Sequence, residues 1–194
     1  LRKLEATRGA IVAQGTEGIP LLVAQLNSPD RRFFQLGLSV ARELPGAEVD
    51  EAVAAELTQA APQRADLLMY TLADRESASV PSGVVTAAAQ GDKEVRIAAI
   101  NLIGRRGTAA HLDALLGIAT EAEAEVASAA EEALVNLPGD DVHEAIIARL
   151  TKAQSEELPV IIALIGERRI DASAALTTML DDPQKAVRTA ALAA

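Results

Sequence analysis

The sequence predicts an all-α protein, a right-handed α-solenoid of about six stacked antiparallel helix pairs, on three observations. An apolar pattern with helical spacing recurs about every 31 residues, each copy follows a second apolar segment, and proline and glycine fall mostly between these segments. Val95, Ala98, Ala99 and Leu102 sit at i, i+3, i+4 and i+7, which lines one face of a helix. The same template fits Phe33, Leu36, Gly37 and Val40; Val126, Ala129, Ala130 and Ala133; and Val187, Ala190, Ala191 and Ala194. Weaker copies start at Ala65 (Leu68, Met69, Leu72) and Glu157 (Val160, Ile161, Leu164). The six anchors are separated by 32, 30, 31, 31 and 30 residues.

Taken in order, residues 1–14 read as the tail of an earlier repeat. The first repeat, about 16–44, closes its first helix near Leu26, breaks at Ser28-Pro29, restarts near residue 30 and stops at Pro45-Gly46. The second, 48–74, closes its first helix at Leu57 and restarts near 62 after Ala61-Pro62. The third, 80–104, opens at Pro81-Ser82-Gly83, reaches Ala88 and restarts near 92, with Asp92 as cap and Gly104 as end. The fourth, 108–137, passes Ile118, restarts near 123 and stops at Pro138-Gly139. The fifth, 140–166, closes its first helix at Leu150 and restarts near 156, where Pro159 should delay the start. The sixth, 171–194, closes its first helix at Leu180 and restarts near 183.

Composition agrees with one ordered solenoid over 1–194. Of 194 residues 49% are hydrophobic and 24% charged, but only 2% are aromatic, so the core must be built from Ala, Leu, Val and Ile. A net charge of −10 opposes binding to a nucleic-acid backbone or an anionic membrane. No cysteine is present, which removes disulfides, thiolate metal sites and Cys nucleophiles. The longest dense apolar run, residues 158–166, falls short of the roughly 20 residues a membrane span needs. Because the chain opens without Met and ends inside the helical pattern AALAA, it is expected to be a piece of a longer protein, and a missing signal peptide carries no information.

The segments DKEVRIAAINLIG (92–104) and DPQKAVRTAALAA (182–194) resemble the D-x-x-V-R-x-A-A-x-x-x-L-G signature of HEAT-like repeats, especially the short variety also found in phycobilisome lyases. The second carries two extra residues between Asp182 and Val187. The resemblance covers roughly residues 16–194 and implies an α-solenoid whose second helices line a concave face. Arg stands at 96 and 188 but is replaced by Phe34, Asp66, Ala127 and Leu158 in the other copies, so no continuous arginine ladder is expected.

Candidate chemistry is sparse. GDKEVRIAAINLIGRRG (91–107) lacks a preceding strand, a dinucleotide glycine spacing and a Gly-Lys-Ser/Thr end, so it is not a phosphate loop. Arg105-Arg106 and Arg168-Arg169, with Arg75 in a similar place, favour helix C-termini rather than an anion site. His143-Glu144 resembles the iron-binding dipeptides of HEAT-repeat hydroxylases, but a metal site needs several such pairs and the other histidine, His111, precedes Leu. With two histidines and no Gly-x-Ser-x-Gly turn, no nucleophile–base pair is visible. A glycosylase of HEAT architecture would be expected to show basic charge and aromatics that this chain lacks. No enzyme activity, cofactor or metal is therefore expected. The expectation is a scaffold binding a protein or peptide; the alternatives are a structural spacer between flanking domains and a bilin-lyase-like role.

Helical geometry places the expected groove. With Val95, Ala98, Ala99 and Leu102 facing the core, Lys93, Ile97, Ile100 and Gly104 lie opposite; the matching sets are Gln63, Leu67, Tyr70 and Asp74, and Arg31, Gln35, Leu38 and Arg42. Leu38, Leu67, Tyr70, Ile97 and Ile100 should form an apolar partner strip flanked by Arg31, Arg42 and Lys93. Charge is also uneven. Residues 107–148 contain no Lys or Arg and nine acidic residues, from Asp113 to Glu144, which reads as a solvated face or as a dock for a basic peptide or divalent cation.

Overall fold

The computed structural model describes residues 2–77, 79–154 and 156–194, and among these no strand occurs: the protein is all-α. It divides into two compact units, one ending at Ala99 and the other starting at Ile100.

The first unit runs through α1 (Arg2–Gln14), a 3₁₀ turn (Gly15–Gly18), α2 (Ile19–Leu26), α3 (Arg31–Glu43), α4 (Ala47–Leu57), α5 (Pro62–Asp74), α6 (Ser82–Gln90) and the start of α7 (Lys93–Arg106). Local chemistry sets these boundaries. The Asp30 carboxylate accepts the Arg32 N–H and caps α3, which satisfies a donor that the first turn leaves open. Pro20 and Pro62 lie in first turns, where a missing N–H costs nothing. Gly46, at φ 112, makes the entry to α4 in a conformation that a side chain would strain. α2 packs on α3 and α4 on α5; α2 meets α4, α4 meets α6, and α3 meets α5. α1 packs on α3 much as α3 packs on α5.

The second unit holds the remainder of α7, a 3₁₀ turn (Ala109–His111), α8 (Leu112–Ala119), α9 (Ala124–Asn136), α10 (Asp141–Leu150), α11 (Leu158–Glu167), α12 (Ser173–Met179) and α13 (Lys185–Ala193). Pairs α8–α9, α10–α11 and α12–α13 form, with α8 on α10, α9 on α11 and α11 on α13. Second helices expected near 30, 62, 92, 123, 156 and 183 begin at Arg31, Pro62, Lys93, Ala124, Leu158 and Lys185, the fifth displaced to put Pro159 in its first turn.

Gly104 does not end α7, which continues to Arg106. The residue is buried against α9 instead: a Cβ there would lie 2.8 Å from the Ala133 Cα, so its missing side chain lets two backbones meet. The cores are aliphatic, with Leu22, Val53, Leu68 and Leu72 in the first unit and Leu115, Val126, Ile146 and Ile162 in the second fully or almost fully buried. Each such side chain contributes roughly 1.5–3 kcal/mol of hydrophobic stabilisation. Small residues at the crossings keep the helices close enough for that packing.

Candidate partner-binding face

Aligning buried faces sets the register of the second helices. Gly37, Val40 and Ala41 of α3 correspond, at steps of 31 residues, to Leu68, Thr71 and Leu72 of α5, Ala99, Leu102 and Ile103 of α7, Ala130, Ala133 and Leu134 of α9, and Ile161, Leu164 and Ile165 of α11; all are buried. In this register the second anchor is Arg64 rather than Ala65. A charged residue at an apolar position hid it. The Arg64 guanidinium lies 4.4 Å from the Phe34 ring centroid, and Nη2 donates to the Ser28 carbonyl at 2.7 Å, so stem and head are both accommodated.

One stripe stays open on each second helix. On α5 it comprises Gln63, Leu67, Tyr70 and Asp74, all exposed; on α3 the equivalent residues are Arg32, Leu36, Ser39 and Glu43, of which only Leu36 is half-buried. Tyr70 is 64% exposed and Leu67 37%. Arg42 reaches across from α3 to pair with Asp74, Nε to Oδ2 at 3.0 Å, so an ion pair flanks the tyrosine.

The residues expected to line the strip are not all open. Arg31 and Arg42 are exposed and Lys93 and Ile97 half-buried, but Leu38 and Ile100 are buried. Those two occupy one position of the repeat, with buried Met69 midway between them. The physical reason is that a second helix is covered on more than the half of its circumference assumed from its own periodicity: α3 is flanked by α1, α2 and α5 together. The slip from Arg64 to Ala65 did the rest, because it put the α5 set on the open stripe while the α3 and α7 sets fell one residue round.

The arginines at helix ends are architectural. Arg75 is buried; its Nε donates to Asp50, and its Nη1 and Nη2 reach the carbonyls of Ala41 and Leu44 (2.6 Å) at the end of α3 and of Gly46 (3.2 Å) at the start of α4. Arg168 does the same for α9, with Nη1 donating to Leu134, Val135 and Leu137 carbonyls at 2.9, 2.6 and 3.1 Å, and partial burial pulls its pKa below the ordinary value. Apart from that of Gly46, these carbonyls close a helix and have no partner within it. Arg96 and Arg188 cap within their own pairs, to Ala88 and to Asp182 and Pro183. The sequence signal was present: Arg75, Arg106 and Arg168 stand one and two 31-residue steps apart.

In the second unit the open stripe borders two hollows. One, about 470 Å³, is polar and lined by Asn101, Gly104, Arg105, Glu132, Ala133 and Asn136 between α7 and α9. The other, about 160 Å³, lies between α9 and α11 and is lined by Leu134, Val135, Pro159, Val160, Ala163 and Leu164 with Glu131 and Glu167. Of the acidic residues between 107 and 148, all are exposed; Asp113 pairs with Arg149 at 3.1 Å, and Arg149 also holds Glu157 at 2.7 Å. Among the described residues no three His, Cys, Asp or Glu side chains converge to hold a metal ion. The His111 Nδ1 accepts the Thr108 N–H at 3.0 Å and so caps a turn, while His143 is exposed.

No protein-family model matches the chain, and comparison with curated proteins finds no match either. No helix among the described residues is long and apolar enough to cross a membrane.

Proposed function

We propose that the chain is a right-handed α-solenoid of six HEAT-like helix pairs acting as a non-catalytic scaffold, and that it binds a protein or peptide along the open stripe of its second helices. The observation that carries this is Tyr70: an aromatic residue, 64% exposed beside exposed Leu67, in a chain that has only one tyrosine. Tyrosine gives a large, stiff contact area at low entropic cost and is enriched at interface centres. The flanking Arg42–Asp74 pair supplies a polar rim. Support for a non-catalytic role comes from the two histidines, one a turn cap and the other solvated.

A photo-crosslinking residue at position 70, compared with one at exposed Ala55 on α4, tests this in cells. A defined adduct from 70 and none from 55 is expected. No adduct at 70, or the same products from both, overturns the binding role and favours a spacer. Tyr70→Ala should change stability by less than about 0.5 kcal/mol, since it removes an exposed side chain.

A further inference from the structure

We infer that the hollow between α9 and α11 receives a lysine or arginine side chain from a basic segment of a partner protein. This rests on the scaffold reading above and names the chemistry of one of its contacts. At about 160 Å³ the hollow is smaller than the roughly 300–1,000 Å³ of small-molecule sites, so its scale is that of one side chain. Its wall is apolar: Leu134 and Leu164 are buried behind half-buried Pro159 and Val160. Glu131 and Glu167 also line it, both exposed and with no hydrogen bond or ion pair from either side chain among the described residues.

A long cationic side chain answers both features at once. Its methylene stem covers the apolar wall while its head reaches the carboxylates. An aliphatic residue would use only the wall, and an acidic one would be repelled. The stretch of chain that contains α9 agrees, because residues 107–148 hold nine acidic and no basic residues, an excess that draws a basic segment in before contact. Arg168, which donates to the carbonyls of Leu134, Val135 and Leu137, is engaged with the backbone and leaves the two glutamates unpaired.

The test uses the full chain and fluorescence anisotropy with a labelled peptide of alternating lysine and alanine, and its glutamate-for-lysine counterpart. Wild type should bind the first and not the second. Glu131→Gln/Glu167→Gln should weaken binding about tenfold, and Ala163→Trp, which fills the hollow without changing charge, by a similar factor. Asp140→Asn/Glu144→Gln removes the same charge from exposed positions elsewhere in the acidic segment and should change binding less than about twofold. Equal losses in the two double variants would mean diffuse attraction and overturn the proposal, as would no binding by wild type. Either failure leaves the crosslink at position 70 intact, whereas loss of that crosslink alone strikes the scaffold reading on α5.

Discussion

Replacing Arg75 by Met should cost about 4 kcal/mol. The Arg75 and Asp50 side chains are each 5% exposed, and the arginine is held by one carboxylate and three carbonyls from two different helix ends. Methionine keeps most of the stem volume, so the loss is electrostatic: Asp50 is left as a buried charge without its partner, a change worth roughly 3–5 kcal/mol, and the carbonyls closing α3 lose their donor. If the whole chain melts together, about 4 kcal/mol corresponds to a midpoint roughly 8–16 °C lower for a protein of this size. Melting of the first unit alone would give an early separate transition by circular dichroism, since two compact units need not unfold as one. The same helices contain the control. Arg42–Asp74 also links α3 to α5, but its side chains are 39% and 60% exposed, and Arg42→Met should cost at most about 1 kcal/mol. Urea titration of both variants decides the matter: if Arg75→Met loses no more than Arg42→Met, the buried cluster contributes nothing special and the account of α3's closure fails.

Three further outcomes follow from local geometry. Gly83→Ala should destabilise by about 1–3 kcal/mol in urea titration, because its Cβ would sit 2.3 Å from the Ala54 carbonyl oxygen and push α6 off α4; unchanged stability would show that the crossing is loose. Arg169 has φ 54 at the end of α11, where Ile170 N–H bonds back to Ile165 O at 2.9 Å, so Arg169→Gly should stabilise by about 0.5–1 kcal/mol; a loss would mean that the arginine head has a role. The Asp30 carboxyl, held down from 3.8 to about 2 first by its side-chain hydrogen bond with Arg32, should titrate near 2 by carbon-13 NMR. A depressed carboxyl stabilises above its unfolded value and loses that contribution as pH falls through the folded one, so the α3 cap should weaken between about pH 4 and 2. A midpoint near 4 would show that the Asp30 carboxylate does not hold the start of α3.

The helices themselves were legible in the sequence. A helix records its own buried face in its own residues, so an apolar stripe at 3.6-residue spacing, bounded by Asp30, Pro62 or Pro159, is legible without neighbours. The charge distribution was equally legible, being a count. Tertiary structure alone decided which flanking residues are open. Leu38 and Ile100 were expected outside and are inside, as is the equivalent Met69, because neighbouring helices cover that position, while Tyr70 and Leu67 lie one residue round and are exposed. It also decided that Arg75 is buried and Arg64 partly so: their partners, Ser28, Asp50, Ala41 and Leu44, lie 25 or more residues away, and no local pattern marks a carbonyl as lacking a donor. Periodicity reports what a helix offers for burial, and only the packed neighbours determine how much of it is taken.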